Sequence, residues 1–344
     1  MNHIVQRKIV LNAYPIGLPK PTDFRLVEAP LPPIAAGEFL VRIDYIALEP
    51  RIRLMMNPTT DDNRAMRRHG AMTDLGRVIP GTVLGEVVES RHPGYPMGAI
   101  VEGFMGWQNY AVTTGAPHPR NNPEGIAICD TVQAQAVDYV CALGAPGLTA
   151  WLAVRLEGKL IAGETMVVNS AAGLVGCLAG QLGKLAGARV IGLTGSDEKV
   201  RYLMEELGFD GAINYRTCGD LAAALAQACP AGVDYFFDNT GGAQAQAIIR
   251  RLTPTGRVTR CGIIAQYNEP AGWGQAEQFS SAFSVHDHVP HYAEGRKAMA
   301  ALLAAGKIKY RKTIFQGLES TPEAFIRLLQ GENIGKYMVR ISEQ

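Results

Sequence analysis

The sequence has almost no net charge: 33 Lys plus Arg stand against 32 Asp plus Glu in 344 residues. That balance supplies no basic field to hold a nucleic acid or an anionic membrane, so small molecules are the expected partners. No stretch of about 18 residues is apolar enough to span a bilayer. The opening residues, MNHIVQRKIV, lack the uninterrupted apolar core of a signal peptide, so a soluble, cytoplasmic protein is expected. Six cysteines, Cys129, Cys141, Cys177, Cys218, Cys229 and Cys261, contain no Cys-x-x-Cys pair. This argues against a disulfide framework and a closed structural zinc site, and the cysteines read as reduced thiols. Internal repeats and low-complexity segments are also lacking.

What is present divides the chain into three. A hydrophobic content of 47% suffices for two cores. Residues 1–130 carry short β-rich runs (KIVLNAY, FLVRIDYIAL, TVLGEVVES, GAIVEGF) broken by proline and glycine, which predicts a mostly β domain. Residues 131–310 alternate apolar runs (MVVN, RVIGL, YFFDN, RVTRCGII) with helical stretches (LVGCLAGQLGKLAG, DEKVRYLMEELG, DLAAALAQAC, AQAQAIIRRL). Such alternation predicts an α/β domain with a parallel, doubly wound sheet. Residues 311–344 add the helix TPEAFIRLLQG and the strand KYMVRIS, expected to return and complete the first domain.

The segment NSAAGLVGCLAGQLGKLAG (169–187) places Ala171, Gly173 and Gly176 between an apolar strand and a helix. Small residues at that turn let a dinucleotide pyrophosphate approach the helix N-terminus. Gly180 and Gly183 continue the small face, where close packing of helix on sheet is the expectation. At the tip of the next strand an acid would hydrogen-bond the ribose of NAD; here stand Thr194, Gly195 and Ser196. Asp197 and Glu198 read as first-turn acids of a helix, leaving Lys199, and Tyr215 a strand later, to meet a phosphate. NADPH is the expected cofactor.

The segments LGAPGLTAWLAV (143–154), SAAGLVG (170–176), GSDEKV (195–200), NY (214–215), FDNTGG (237–242), CGIIAQYN (261–268) and EAFIRLLQGENIGKYMVR (323–340) resemble the zinc-independent medium-chain dehydrogenase/reductase superfamily. Within it they are similar to the group of prostaglandin reductases, leukotriene hydroxydehydrogenases, plant double-bond reductases and bacterial curcumin reductases. The resemblance implies a Rossmann domain with a GroES-like substrate domain. It also implies NADPH-dependent reduction of the double bond of enones or enals, and a homodimer paired through edge strands, with the candidate edge at 279–289. In zinc-dependent relatives a His and a Glu ligate metal where this chain has Thr82 and Val83, so no metal is expected.

The resemblance also assigns site residues. Gly173, Leu174, Val175 and Gly176 would hold the pyrophosphate. Lys199 and Tyr215 would grip the 2′-phosphate, with Ser196 a further cofactor-binding residue, and Asn239 would lie on the nicotinamide side. Cys261, Gly262, Ile263, Ile264, Ala265, Gln266 and Tyr267 would run along the nicotinamide ribose. Phe283, Ser284 and Val285 would line the ring pocket, and Asn333 would close the site.

Tyr267 is the catalytic candidate, as a phenol able to donate a hydrogen bond to a carbonyl oxygen; the alternative is that it only positions the ribose. Arg51 and Phe104 are the substrate candidates. Relatives commonly read Asp-Pro-Tyr-Met-Arg where this chain has Glu49-Pro50-Arg51-Ile52-Arg53. Arg51 either faces the pocket or turns to solvent or to Glu49. Trp107 reads as core, and HDHVPHY (286–292) as a loop lining the site. A quinone reductase, a metal-free hydroxyl dehydrogenase and an NADPH-binding protein without turnover remain alternatives on the same scaffold.

Overall fold

The computed structural model describes residues 5–58, 72–118, 123–132, 134–269 and 283–341. In the first part, β1 (Val5–Leu11) pairs antiparallel with β2 (Phe24–Pro30). Next come β3 (Phe39–Ala47), the short helix α1 (Ile52–Met55), β4 (Thr82–Ser90), β5 (Ile100–Phe104), β6 (Tyr110–Thr113) and β7 (Ala127–Ile128). Alternation folds these runs as strands: Phe39, Val41 and Ile43 point into one core and are at most 1% exposed.

The second part begins with α2 (Ala145–Leu152) and contains β8 (Thr165–Val168), α3 (Leu174–Leu185), β9 (Arg189–Thr194), α4 (Asp197–Arg201), β10 (Gly211–Asn214), α5 (Leu221–Ala228), β11 (Val233–Asp238), α6 (Gly242–Ile249), β12 (Leu252–Arg260) and α7 (Tyr292–Ala304). Its five strands are all parallel, in the order β10-β9-β8-β11-β12. Both faces are covered, which is why the strands are continuous apolar runs. Met166 and Val168 pack against Leu178 and Leu148 on one side, while Val167 joins Ile213, Leu225 and Ile248 on the other.

The chain then returns as β13 (Lys312–Gln316), α8 (Thr321–Leu329) and β14 (Lys336–Arg340). Strand β14 pairs antiparallel with β3, so both last strands join the first sheet. Phe325 of α8 meets the fully buried Trp107 edge-on at 5.2 Å, locking the returning segment into that core.

Two expectations change. The stretch DEKVRYLMEELG is regular α-helix only over Asp197–Arg201 and continues as wider π turns at Tyr202–Glu206. The candidate dimer edge at 279–289 is not a strand where it is described: 279–282 lie outside the described residues, and Val285–His291, with Pro290 inside, is 3-10 helical. Among the described residues the edges of the parallel sheet are β10 and β12. Among the described residues no helix is long and apolar enough to cross a membrane.

Candidate active site

Strand order reverses between β8 and β11, and ligands collect where that happens, at the carboxyl ends of the strands. A cleft of about 450 Å³ opens there, walled on its far side by Pro50 and Arg51 and by the returning residues 328–337. Asn169, fully buried after β8, ties the two strand tips together: its side-chain amide donates to Asp238 Oδ1 at 2.7 Å and to Thr240 Oγ1. Its Oδ1 accepts the Asn239 backbone N–H at 2.6 Å.

The glycines of the next turn divide by role. A Cβ on Gly176 would lie 2.5 Å from the Ser170 carbonyl oxygen, one on Gly180 2.0 Å from the Phe209 ring, and one on Gly183 2.6 Å from Met166 Sδ. Those three are required by the protein's own packing. Gly173, the N-cap of α3, meets nothing closer than 3.4 Å and lines the cleft, so the space a side chain would take there is ligand space. The first-turn N–H groups of an α-helix have no intrahelical acceptor and suit a pyrophosphate, which this cradle fits.

At the tip of β9, Ser196 caps α4 by accepting the Lys199 N–H at 3.3 Å. Asp197 accepts from Asn214 Nδ2 at 2.7 Å, and Glu198 lies 3.9 Å from Arg311. Neither acid forms an ion pair with Lys199. Lys199, Tyr215 and Arg216 all line the cleft. A Cβ on Gly195 would be 2.9 Å from Tyr215 Oη and 3.2 Å from Arg216 Nε. Lys199 Nζ donates to the Gly331 carbonyl, and burial, with the nearby Arg216 charge, pushes its ammonium below the usual lysine range. Two cations and a phenol around a glycine suit a phosphate monoester better than a bare ribose. The Arg216 contribution was missed from sequence, although Arg216 directly follows Tyr215.

Of the other expected residues, Leu174, Val175, Gly176, Asn239, Cys261, Gly262, Ile264, Ala265, Tyr267, Phe283, Ser284, Val285 and Asn333 line the same cleft. Ser196, Ile263, Gln266 and Phe104 do not. Ser196 is spent on capping, Ile263 packs beside Leu54 and Tyr267, and Phe104 lies under Arg51, whose guanidinium is 4.9 Å from the ring centroid. The Asn239 amide donates to the Asn169 carbonyl at 2.9 Å, so it braces the turn as well as facing the cleft. Tyr267 is 7% exposed, and burial, reinforced by Cys261, pushes its phenol far above the usual tyrosine range. It stays protonated and can donate.

Arg51 combines both orientations considered for it. It lines the cleft while its Nε donates to Glu49 Oε2 at 2.7 Å. Thr82 Oγ1 donates to the other Glu49 oxygen at 2.9 Å. Burial alone would raise the Glu49 carboxyl, but Arg51, Lys336 and the Thr82 hydrogen bond outweigh it and hold the group ionised. Val83 is wholly within the core, and among the described residues no three His, Cys, Asp or Glu are grouped to hold a metal ion. His286 also lines the cleft, with Nδ1 3.1 Å from the Tyr292 hydroxyl. Burial and the Arg51 charge push it down to about 4, so it is neutral at physiological pH.

Comparison with known proteins bears on this geometry. Residues 7–119 match the family described as N-terminal domain of oxidoreductase, and residues 175–286 match the family described as zinc-binding dehydrogenase. The second match excludes Thr82 and Val83. Among relatives, YfmJ of Bacillus subtilis (strain 168) is 37% identical, with 98% of each chain covered. The NADPH-dependent curcumin reductase of Escherichia coli (strain K12) is 33% identical over 98% of this chain and 97% of its own. The crystal structure of CurA from Vibrio vulnificus in complex with NADPH superposes with a TM-score of 0.87 at 32% identity, covering 98% of this chain and all of that one. With whole-length relatives above 30% identity, the chain belongs to the medium-chain dehydrogenase/reductase superfamily, in the group that holds the curcumin and prostaglandin reductases.

Proposed function

We propose that the protein reduces the carbon–carbon double bond of α,β-unsaturated ketones or aldehydes with NADPH and without a metal ion. The observation that carries this reading is the buried, protonated Tyr267 phenol in the same cleft as the 173–176 turn and the Lys199–Arg216 pair. The curcumin reductase relative and the NADPH complex of the Vibrio vulnificus protein support it.

Gly173 to Gly176 would hold the pyrophosphate, and Lys199, Tyr215 and Arg216 the 2′-phosphate. Asn239, the 261–267 segment, Phe283, Ser284, Val285 and Asn333 would form the nicotinamide end. Bound NADPH supplies the hydride that the substrate's β-carbon accepts. As that bond forms, negative charge grows on the carbonyl oxygen, and the Tyr267 O–H donates to it as an enolate develops. A donor already desolvated and fixed needs no reorganisation at that moment, and its elevated pKa keeps the proton on the phenol. Glu49 is shared between Arg51 and the buried Lys336 on the adjoining wall, so Arg51 is partly neutralised there while the wall keeps one positive charge.

The same reading assigns residues 1–130 with 311–344 to a GroES-like substrate domain and 131–310 to the Rossmann domain. A cytoplasmic location and a homodimer complete it, with β12, half-exposed and, among the described residues, paired only to β11, as the edge available to a second copy. NADPH consumption with a simple enone, faster than with a quinone or a saturated ketone, tests the activity. Tyr267→Phe should lower kcat and kcat/KM alike, by about 10- to 1,000-fold, because the lost hydrogen bond strengthens only in the transition state. A rise confined to the KM for NADPH would reduce Tyr267 to a ribose contact.

A further inference from the structure

Arg53, on α1, is 2% exposed and forms no ion pair among the described residues. Burial pushes its guanidinium down to about 10, with only the field of Asp23 opposing. A cation so placed must satisfy its donors with neutral oxygens. Its Nη1 donates to Asn57 Oδ1 at 3.0 Å, and its Nη2 donates to the carbonyls of Pro15 at 3.2 Å and Gly17 at 2.9 Å. Those acceptors all belong to the first 57 residues. The exception is Asn268, whose Oδ1 accepts from Arg53 Nε at 3.1 Å, the shorter branch of a bond shared with the Gly17 carbonyl at 3.3 Å. Asn268 is the residue after Tyr267.

A second contact runs beside the first. Leu54, the neighbour of Arg53, is 1% exposed and packs with Ile263 and Tyr267 in a small core separate from the three larger ones, joined at its edge by Met72 and Ile264. Tyr267 itself is the C-cap that follows a three-residue 3-10 helix, Ile264–Gln266. So short a turn makes few internal hydrogen bonds and does not hold a side chain rigidly. Its orientation depends on what is packed against it, and Leu54 of α1 is the part of that packing contributed by the element that carries Arg53.

We infer that Arg53 and Asn268 form a positioning latch, in which the buried guanidinium of the β-rich part grips the residue following Tyr267 and fixes the phenol in the cleft. The latch rests on the reading of Tyr267 as the enolate's hydrogen-bond donor. A charge-assisted bond from a buried guanidinium is among the stronger polar contacts, and it spans the two parts of the chain that meet at the cleft. A donor misplaced by about 1 Å forfeits up to roughly a hundredfold in rate, so a residue that touches no reacting atom governs kcat.

The test is a double-mutant cycle in the full-length enzyme, read with NADPH and a simple enone. Asn268 is partly exposed, so its replacement removes no core packing. Asn268→Ala is expected to lower kcat about tenfold and to leave the NADPH dissociation constant, measured by cofactor fluorescence, within about twofold. Asn268→Asp keeps an acceptor for Arg53 and should retain most of the rate. In a Tyr267→Phe background, Asn268→Ala should add nothing, because residues acting through one another do not add. Effects that multiply would overturn the latch while leaving Tyr267 as donor, and so would a tenfold weaker NADPH complex or a parental rate in Asn268→Ala. A Tyr267→Phe enzyme at the parental rate would instead overturn the donor assignment on which the latch rests.

Discussion

Lys199 and Arg216 line the cleft within reach of each other's charge and with no carboxylate in ion-pair contact, so a bound phosphate would have two charge-assisted partners. Replacing either by alanine should weaken NADPH by roughly 1.5–3 kcal/mol and leave NADH nearly unchanged, measured as dissociation constants for both cofactors. Equal losses would show that the pair does not read the 2′-phosphate. Glu102, which lines a small chamber with Arg51, Thr82 and His286, makes a pH-dependent prediction. Burial, helped by Glu49 and Glu124 and opposed by Arg296, pushes its carboxyl from 4.5 up to about 7. Below the unfolded value both states hold the proton and nothing is lost. Between the two values the folded state alone stays protonated, so stability falls as pH rises, and above the folded value the full penalty remains. At about 1.4 kcal/mol per pH unit, Glu102→Gln should stabilise the protein by up to about 3 kcal/mol near pH ~8 and far less near pH ~4, read by denaturant unfolding. An equal gain at both pH values would refute the assignment.

Helix α3 shows how one small-residue run serves two purposes. Gly176, Gly180 and Gly183 are close-packing positions, whereas Gly173 borders the cleft. Gly176→Ala should therefore lower the melting temperature, with an overpacking cost of about 1–3 kcal/mol, whatever the ligand. Gly173→Ala should melt like the parent and bind NADPH more weakly. The reverse pattern would mean that the turn is built for packing alone. Helix α1 is the contrary case: four residues with no amphipathic period give no sequence signal, yet Leu54 and Arg53 place it against the Tyr267 segment.

For the whole molecule, the cleft exists because the chain returns. Strand β14 joins β3, and the preceding loop brings Asn333 and Gly335 over the α3 turn, with the Gly335 N–H donating to the Ala172 carbonyl at 2.7 Å. Gly335, at φ 67°, holds a backbone conformation suited to glycine, and a Cβ there would lie 2.0 Å from the Arg311 carbonyl oxygen. Beyond the monomer, the open edge of β12 should pair two copies, so the mass in solution at micromolar concentration should be twice the chain's. A monomeric mass would leave that edge without the proposed role.

The parallel sheet, the glycine turn after β8 and the lack of an acid at the tip of β9 were legible in sequence because each is local. Apolar runs, small residues and the lack of an acid at a strand end occupy a few consecutive positions, and their chemistry follows from spacing alone. The 3-10 turn at 285–291, the pairing of Arg51 with Glu49 and Thr82, the arrival of Arg216 beside Lys199, and the grip of Arg53 on Asn268 were not. Each is settled by the approach of residues that only packing brings together. A side chain such as Arg51 or Arg53 has many rotamers of similar intrinsic energy, and the partner that desolvates it selects one. Sequence determined which cofactor chemistry the strand tips suit, and tertiary structure decided which way the charged side chains of the 49–53 segment face.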